Sequence, residues 1–233
     1  MNSLSARSAL MQGARDTLPM MIGAAPFGTI FGTFAIAMGL SPTVTLAMSA
    51  LVFAGSSQFI AISLLGTGAA LPVIWFTTLV VNLRHMLYSA TLLPYARHWS
   101  LAWRGSLAFW LTDETFAVVE HRLRTHGAQA GQWYWLGSSL AMYFNWLIWT
   151  LAGVLLGRAV PNLAHWGLDF AMVGTFSAIV APQLKRFPYL MAAIAAGSVA
   201  LLARGLPYKL DLMLAAAAGI AAGMLSQAKE MPR

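Results

Sequence analysis

The sequence predicts an all-α, polytopic integral membrane helix bundle of seven to eight transmembrane segments, some of them broken. Three observations carry that class. Of 233 residues, 59% are hydrophobic and only 9% are charged, against about 25% charged in an ordinary soluble domain. The apolar residues fall into runs at 18–39, 43–66, 69–93, 105–120, 133–157, 167–183, 187–203 and 207–226, and a hydrocarbon core takes about 20 residues of helix per crossing. The 14 basic residues lie in ones and twos, mostly between those runs. That is how loops fix orientation in a bilayer, and it is not a basic groove for nucleic acid. With no cysteine, disulfides, thiolate metal sites and cysteine nucleophiles are excluded.

Residues 1–17 are polar, with Arg7, Arg15 and Asp16, and read as a cytoplasmic N-terminal segment. Asp16 stands just ahead of the first helix, where a carboxylate suits the positive helix end. The run 18–39 is too long for a signal-peptide core and reads as a retained span; Pro26 and Gly28 mark a candidate break in it. The run 43–66 holds Gly55-Ser56-Ser57-Gln58, a polar patch that can break a helix and present backbone groups. The runs 105–120 and 167–183 are short, and either fits a re-entrant segment. Residues 18–226 are expected to form the membrane domain and 227–233 a cytoplasmic tail.

With eight crossings and the N-terminus inside, the inner segments hold Arg7, Arg15, Arg122, Arg124, Lys185, Arg186, Lys229 and Arg233. The outer ones hold Arg97, Arg104, Arg158, Arg204 and Lys209, so the charge bias favours that orientation modestly. Seven crossings would put the C-terminus outside. Trp99, Trp103, Trp133, Tyr134, Trp135 and Trp166 cluster near segment ends and read as interfacial anchors. Gly28/Gly32, Gly219/Gly223 and Ala193/Gly197 share the four-residue spacing that lets helices approach closely. His98, His121, His126 and His165 are assigned to loops, Asp169 and Asp211 to solvated ends.

The informative residues are polar ones at mid-membrane depth. A charge at the bilayer centre costs roughly 2.5–3.5 kcal/mol on insertion scales. Arg84 lies midway along the third run, and Asp113 with Glu114 midway along the fourth. Facing lipid unpaired, these three charges would cost about 8–10 kcal/mol, so they must face the bundle interior, with an Arg84–acid pair the simplest arrangement. Asn82, His85 and Ser89 share one helix face, Arg84 and Tyr88 a neighbouring one. A permanent ion pair that only fixes helix register is the bland alternative; the whole cluster favours a functional site. Asn145 and Tyr143 sit in the fifth run, where a cross-helix bond and a path-lining role for Asn145 stand level. No metal constellation, phosphate loop or nucleophile with a placed base stands out, so neither catalytic residues nor a cofactor are expected.

Four strings carry a family resemblance: Gly-Ala-Ala-Pro-Phe-Gly (23–28), Phe-Ala-Gly-Ser-Ser-Gln-Phe (53–59), Asn-Leu-Arg-His-Met-Leu-Tyr-Ser (82–89) and Leu-Thr-Asp-Glu-Thr-Phe-Ala (111–117). In order and spacing they resemble the signature segments of the AzlC family, large subunits of bacterial branched-chain amino acid exporters. The resemblance implies an inner-membrane, multi-pass exporter of leucine, isoleucine and valine, sometimes methionine. It also implies a small, separately made membrane partner of AzlD type.

A zwitterionic substrate needs a cation, an anion and an apolar pocket, all shielded from water. The expected substrate-binding residues are Arg84 for the carboxylate, with Gly55, Ser56, Ser57, Gln58, Asn82 and Tyr88 around it. Asp113, Glu114 and His85 are the candidates for the ammonium and a coupling proton. Pro26, Phe53, Phe59, Leu87, Phe116 and Asn145 are the candidate pocket lining. The rival readings are an uncoupled facilitator or channel using the same core, a structural subunit and, least favoured, an intramembrane enzyme using the paired acids.

Overall fold

The computed structural model describes residues 5–159, 181–206 and 210–230, and the chain is helical throughout them. The helices are α1 (Ala6–Asp16), α2 (Leu18–Ala37), α3 (Pro42–Leu51), α4 (Gly55–Gly66), α5 (Leu71–Ala96), α6 (Leu101–Phe109), α7 (Asp113–His126), α8 (Gly131–Ala159), α9 (Phe187–Leu202) and α10 (Leu210–Glu230). A 3-10 turn, Ala181–Lys185, precedes α9. Most of the run 167–183 lies outside the described residues, and so do His165, Trp166, Asp169 and Lys209.

Two compact units emerge, Met1–Phe59 with Val81–Trp166, and Ile60–Val80 with Gly167–Arg233. In the second unit α9 and α10 pack antiparallel. Gly219 faces Ala192 and Ala196, and Gly223 faces Ala192 and Pro188. The close contact uses Ala192 and Ala196; Gly197, expected to share in it, has open space beside it.

In the first unit α8 is the spine. Its bonds to α2 run in step along both chains: Thr17 Oγ1 donates to Ser138 Oγ (2.7 Å), Asn145 Nδ2 to the Met21 carbonyl (3.1 Å) and Thr33 Oγ1 to the Gly153 carbonyl (3.0 Å). The two helices are therefore parallel. Gly28 and Gly32 seat against α8 at Trp149, Thr150 and Gly153, so the small-residue pair works within the chain. Among the described residues, α2 and α8 are the helices long and apolar enough to cross a membrane unaided. The outer stripe of α8 (Phe144, Ile148, Leu151, Leu155) is exposed, as suits a lipid-facing surface.

The chain around this spine departs from a simple up-and-down bundle. The run 43–66 breaks at residues 52–54 and the run 105–120 at residues 110–112, and at each break the path turns back. Helix α3 descends from the far end of α2 until the Ala50 carbonyl accepts from Tyr143 Oη (3.1 Å). Helix α4 then starts with Gly55 against the Trp146 indole and returns, since Phe59 packs on Phe31 and Phe34, late in α2. The second hairpin enters from the opposite end. Trp103 near the start of α6 packs on Trp133, Trp110 at the break on Tyr143, and Leu123 late in α7 beside Gly131, where α8 begins. Helix α5 runs against α2 and α8: Arg84 meets the tips of the hairpins, while Leu92 and Ala96 join Tyr134 and Trp135 at the α8 start. A long helix followed by a helical hairpin thus occurs twice, the second time inverted.

Several expectations need correcting. Pro26 sits inside a continuous α2 and is exposed, so the first run has no break there. Most of the N-terminal segment is helical. Ser5 caps α1, which crosses α8 where Gly13 and Gly137 leave room for backbone against backbone. Asp16 ends α1 and accepts from Tyr134 Oη (2.8 Å). Trp99, Tyr134 and Trp135 are buried in one cluster with Leu107, Leu111, Val119 and Leu123; they pack on protein instead of lying as lipid-facing anchors. His121 and His126 are on α7, not in loops.

Two outcomes test this architecture. In the cysteine-free chain, His98→Cys and Gln129→Cys should both label from the membrane face that bears the N-terminus; labelling from opposite faces would mean that α6–α7 crosses. Gly32→Leu, whose side chain would meet α8 backbone atoms, should lower stability by about 1–3 kcal/mol or more in detergent melting curves, while Gly23→Ala, with open space around it, should not.

Candidate functional site

Each break puts the first turn of a helix inside the protein. At the first, the Ala54 carbonyl accepts from Gln58 N–H (3.0 Å), and Gly55, Ser56 and Ser57 open α4. At the second, Thr112 is extended (φ −119°, ψ 175°) and its hydroxyl caps α7 by accepting from Thr115 N–H (3.3 Å). Asp113 and Glu114 therefore stand in the first turn of a half-length helix, not at the middle of a long one. A helix N-terminus carries free N–H groups and about half a positive charge, so an acid there is stabilised.

Arg84 of α5 joins the two turns. Its guanidinium donates through one terminal nitrogen to Asp113 Oδ2 (2.6 Å) and through the other to Ser56 Oγ (2.6 Å). Ser57 Oγ donates to Asn82 Oδ1 (2.7 Å). Adjacent residues of α4 thus hold two positions within a single turn of α5, Asn82 and Arg84. Superposing the hairpins by the two Arg84 contacts pairs Ser56 with Asp113, Gln58 with Thr115 and Phe59 with Phe116; Gln58 and Thr115 are both fully buried. The ion pair is only partly shielded, with Arg84 27% and Asp113 41% exposed. Arg84 Nε and Asp113 Oδ1 are buried with no hydrogen-bond partner. A cation and an anion side by side, each with unused capacity, can receive a dipolar molecule.

The other expected site residues divide into two groups. Tyr88 stacks on Phe116 (4.3 Å between rings), and His85 packs edge-on against Tyr88 (5.9 Å), one turn along α5 from the ion pair. Glu114 follows Asp113 in the same turn of α7. These gather at the site. Gln58 does not present its amide: Nε2 donates to Ser49 Oγ (3.2 Å) and Oε1 accepts from Trp146 Nε1 (3.0 Å). Phe59 is buried against Phe31 and Phe34. Asn145 makes the cross-helix bond to Met21 described above. Leu87 is 70% exposed and, like Pro26, lines nothing here. Phe53 does face the break, edge-on to Tyr143 (5.1 Å).

Sequence reasoning did not single out Trp146, Ser49, Thr150 or Trp110. Ser49 Oγ lies 3.0 Å from Thr150 Oγ1, which continues the Gln58–Trp146 network and anchors the first hairpin to the spine. Trp110 has a buried, unpartnered Nε1 and shares Tyr143 with Phe53, so one ring on α8 bridges both breaks. These residues look like ordinary membrane-helix content until the hairpins bring them together. Among the described residues no group of His, Asp or Glu is arranged to hold a metal ion.

The family model for AzlC protein matches residues 19–160, which contain both hairpins and the spine. The chain belongs to the AzlC family. The inner membrane protein YgaZ of Escherichia coli K12 is 26% identical over 76% of this chain and 74% of its own length. A membrane protein of Archaeoglobus fulgidus is 30% identical over 86% and 87%. The branched-chain amino acid transport protein AzlC of Bacillus subtilis is 30% identical over 72% and 65%. No solved structure matches the chain. All three relatives are named as membrane or transport proteins.

Arg84→Gln or Asp113→Asn alone leaves an uncompensated charge in the interior, whereas the double variant removes both charges. Detergent melting curves should therefore show a double variant less destabilised than the sum of the singles, with a coupling energy of about 1 kcal/mol or more.

Proposed function

We propose that this AzlC-family chain exports branched-chain amino acids (leucine, isoleucine, valine and also methionine) across the bacterial inner membrane. In this reading it is a proton-coupled transporter, not an enzyme, and the large subunit beside a small AzlD-type partner. Support for the substrate class comes from the name of the Bacillus relative, and for the location from that of the Escherichia relative. The observation that carries the mechanism is Arg84 held between the first turns of α4 and α7.

Two half-helix N-termini and a guanidinium create a positive focus suited to a carboxylate, as at other midplane transport sites. The substrate carboxylate takes Arg84 together with Ser56 and the amides of Gly55–Ser57. Its ammonium takes Asp113, with Glu114 behind it. Phe53, Tyr88 and Phe116 supply the apolar surface for the side chain, and His85 neighbours them. Arg84–Asp113 is then the substrate-free pair: substrate replaces each partner by its own opposite charge, and Asp113 is free to exchange a proton in the return step. Hairpins entering from opposite ends provide two gates around one central site.

The same geometry supports a revised membrane topology, in which α2, α5 and α8 cross and both hairpins are re-entrant. Arg7, Arg15, Arg97, Arg104, Arg122 and Arg124 then share one end of the first unit, with Arg158 at the other. The reversal of α6–α7 brings Arg97 and Arg104 to the N-terminal side, which sharpens the bias for a cytoplasmic N-terminus. In this reading 18–226 is the transport domain and the tail at 227–233 is cytoplasmic.

Counterflow of labelled leucine in vesicles tests the function. Arg84→Ala should abolish it while the protein still inserts, and Asp113→Asn should remove its response to a pH gradient. Normal export by Arg84→Ala, Asp113→Asn and Glu114→Gln alike would place the site elsewhere; uptake indifferent to the gradient in the unmodified protein would make it an uncoupled facilitator.

A further inference from the structure

Among the described residues outside the central site, one buried charge forms no ion pair. Arg122, late in α7, is 7% exposed, and its Nε and one terminal nitrogen are buried without a hydrogen-bond partner. Its guanidinium lies over the Tyr134 ring, 5.5 Å from the centroid. The two nearby acids are engaged: Asp16 accepts from Tyr134 Oη (2.8 Å), and Glu120 pairs with Arg124 (3.0 Å). Neither forms an ion pair with Arg122.

The surroundings are also rich in donors. Trp135, next to Tyr134 in the chain, and Trp99, packed on Trp135 at 6.1 Å, each have a buried indole N–H without a partner. So does Arg104 Nε on α6, at the same end of the hairpin. A buried charge is normally paired, and an unmet buried donor costs about 1–3 kcal/mol, more when charged. Donors in this number ask for a ligand that offers several acceptor oxygens and a negative charge.

Depth narrows the ligand. Arg122 follows Asp113 by two and a half helical turns, about 14 Å at about 1.5 Å per residue. With Asp113 near the midplane, that is close to half of an about 30 Å core. Arg122 thus sits where the headgroup phosphates of one leaflet begin, at the end of the first unit that gathers the arginines.

We propose that Arg122, with Trp99, Trp135 and Arg104 around it, forms a phosphate-ester site that takes the headgroup of an anionic phospholipid from the cytoplasmic leaflet. The site depends on the membrane topology above but not on the transported substrate. A bound headgroup ties the α7 end of the second hairpin to the start of α8, and so braces the hairpin whose tip carries Asp113.

Native mass spectrometry and melting curves on the full-length protein in neutral detergent test this, with phosphatidylglycerol, phosphatidylcholine and inorganic phosphate as probes. Phosphatidylglycerol should be retained and should raise the melting midpoint by about 5–10 °C at about a hundredfold excess over Kd; phosphatidylcholine should not. Arg122→Gln should lose both effects and Arg158→Gln, at the other end, should keep them. Should Arg122→Gln fail to insert, Arg122→Lys, which keeps the charge but loses the planar fork, should give a reduced shift. A full shift with inorganic phosphate alone would uphold the oxyanion chemistry and assign it to a free anion. Equal responses to all three probes, or a full response in Arg122→Gln, would overturn the site. Leucine counterflow by Arg122→Gln reads separately on the transport reading, because loss of lipid binding leaves the Arg84 site in place.

Discussion

The Arg84 guanidinium holds together two helix tips that would otherwise repel its environment and each other. Two helix N-termini bring partial positive charge to mid-membrane depth, and the arginine adds a full one. Asp113 offsets part of that, and Ser56 accepts what Asp113 cannot. A carboxylate in the first turn of α7 is stabilised twice, by the helix end and by the arginine. The pair still leaves two unmet hydrogen-bonding groups, Arg84 Nε and Asp113 Oδ1. A site of that kind is a poor structural clamp, because well-packed apolar residues would serve stability as well or better. The proposed transport function gives it the task of receiving a small molecule that bears both charges.

That arrangement needs hairpin tips held steady, and the steadiness comes from α8. Small residues on α2 and α8 let two long helices lie side by side, and hydroxyl and amide bonds pin them in register. The Gln58–Trp146–Ser49–Thr150 network fastens the first hairpin to this spine. Trp110 and Tyr143 meet the second near its break. One face of α4 is therefore fixed while the neighbouring one, Ser56 and Ser57, touches the Arg84 face of α5. In a bilayer such internal bonds also meet the backbone groups that a helix break exposes, which is the condition for irregular chain at that depth.

Particular residues show how far the sequence could be read. An Arg84–acid pair was legible because a charge in an apolar run must be answered by another, but only the structure chose Asp113 over Glu114. Gly55-Ser56-Ser57-Gln58 was legible as a weak point, with a simple kink the better reading of that segment alone; the break falls just before it, at residues 52–54. Gln58 and Phe59 were not legible as core: a polar amide in a signature string looks like a ligand contact until Trp146 and Ser49 are seen to occupy it. Tyr134, Trp99 and Trp135 read as lipid-facing anchors yet pack on protein, since an interfacial aromatic and a buried one have the same composition. Arg122, counted only as an orientation charge, gained meaning from what surrounds it.

Composition and local motif determined the membrane class, the family and the central charges, because each depends on the transfer of single residues or short segments from water to lipid. The reversal of the chain at residues 52–54 belongs to the tertiary structure alone, whereas the shortness of 105–120 already fits a re-entrant segment. Two half-length helices that enter and return have the same hydropathy as one broken helix that crosses, so nothing local separates them. Distant contacts do, with Phe59 on α2 and Leu123 beside the start of α8. Those contacts turn two of the apolar runs, 43–66 and 105–120, into inverted hairpins whose helix ends share one arginine.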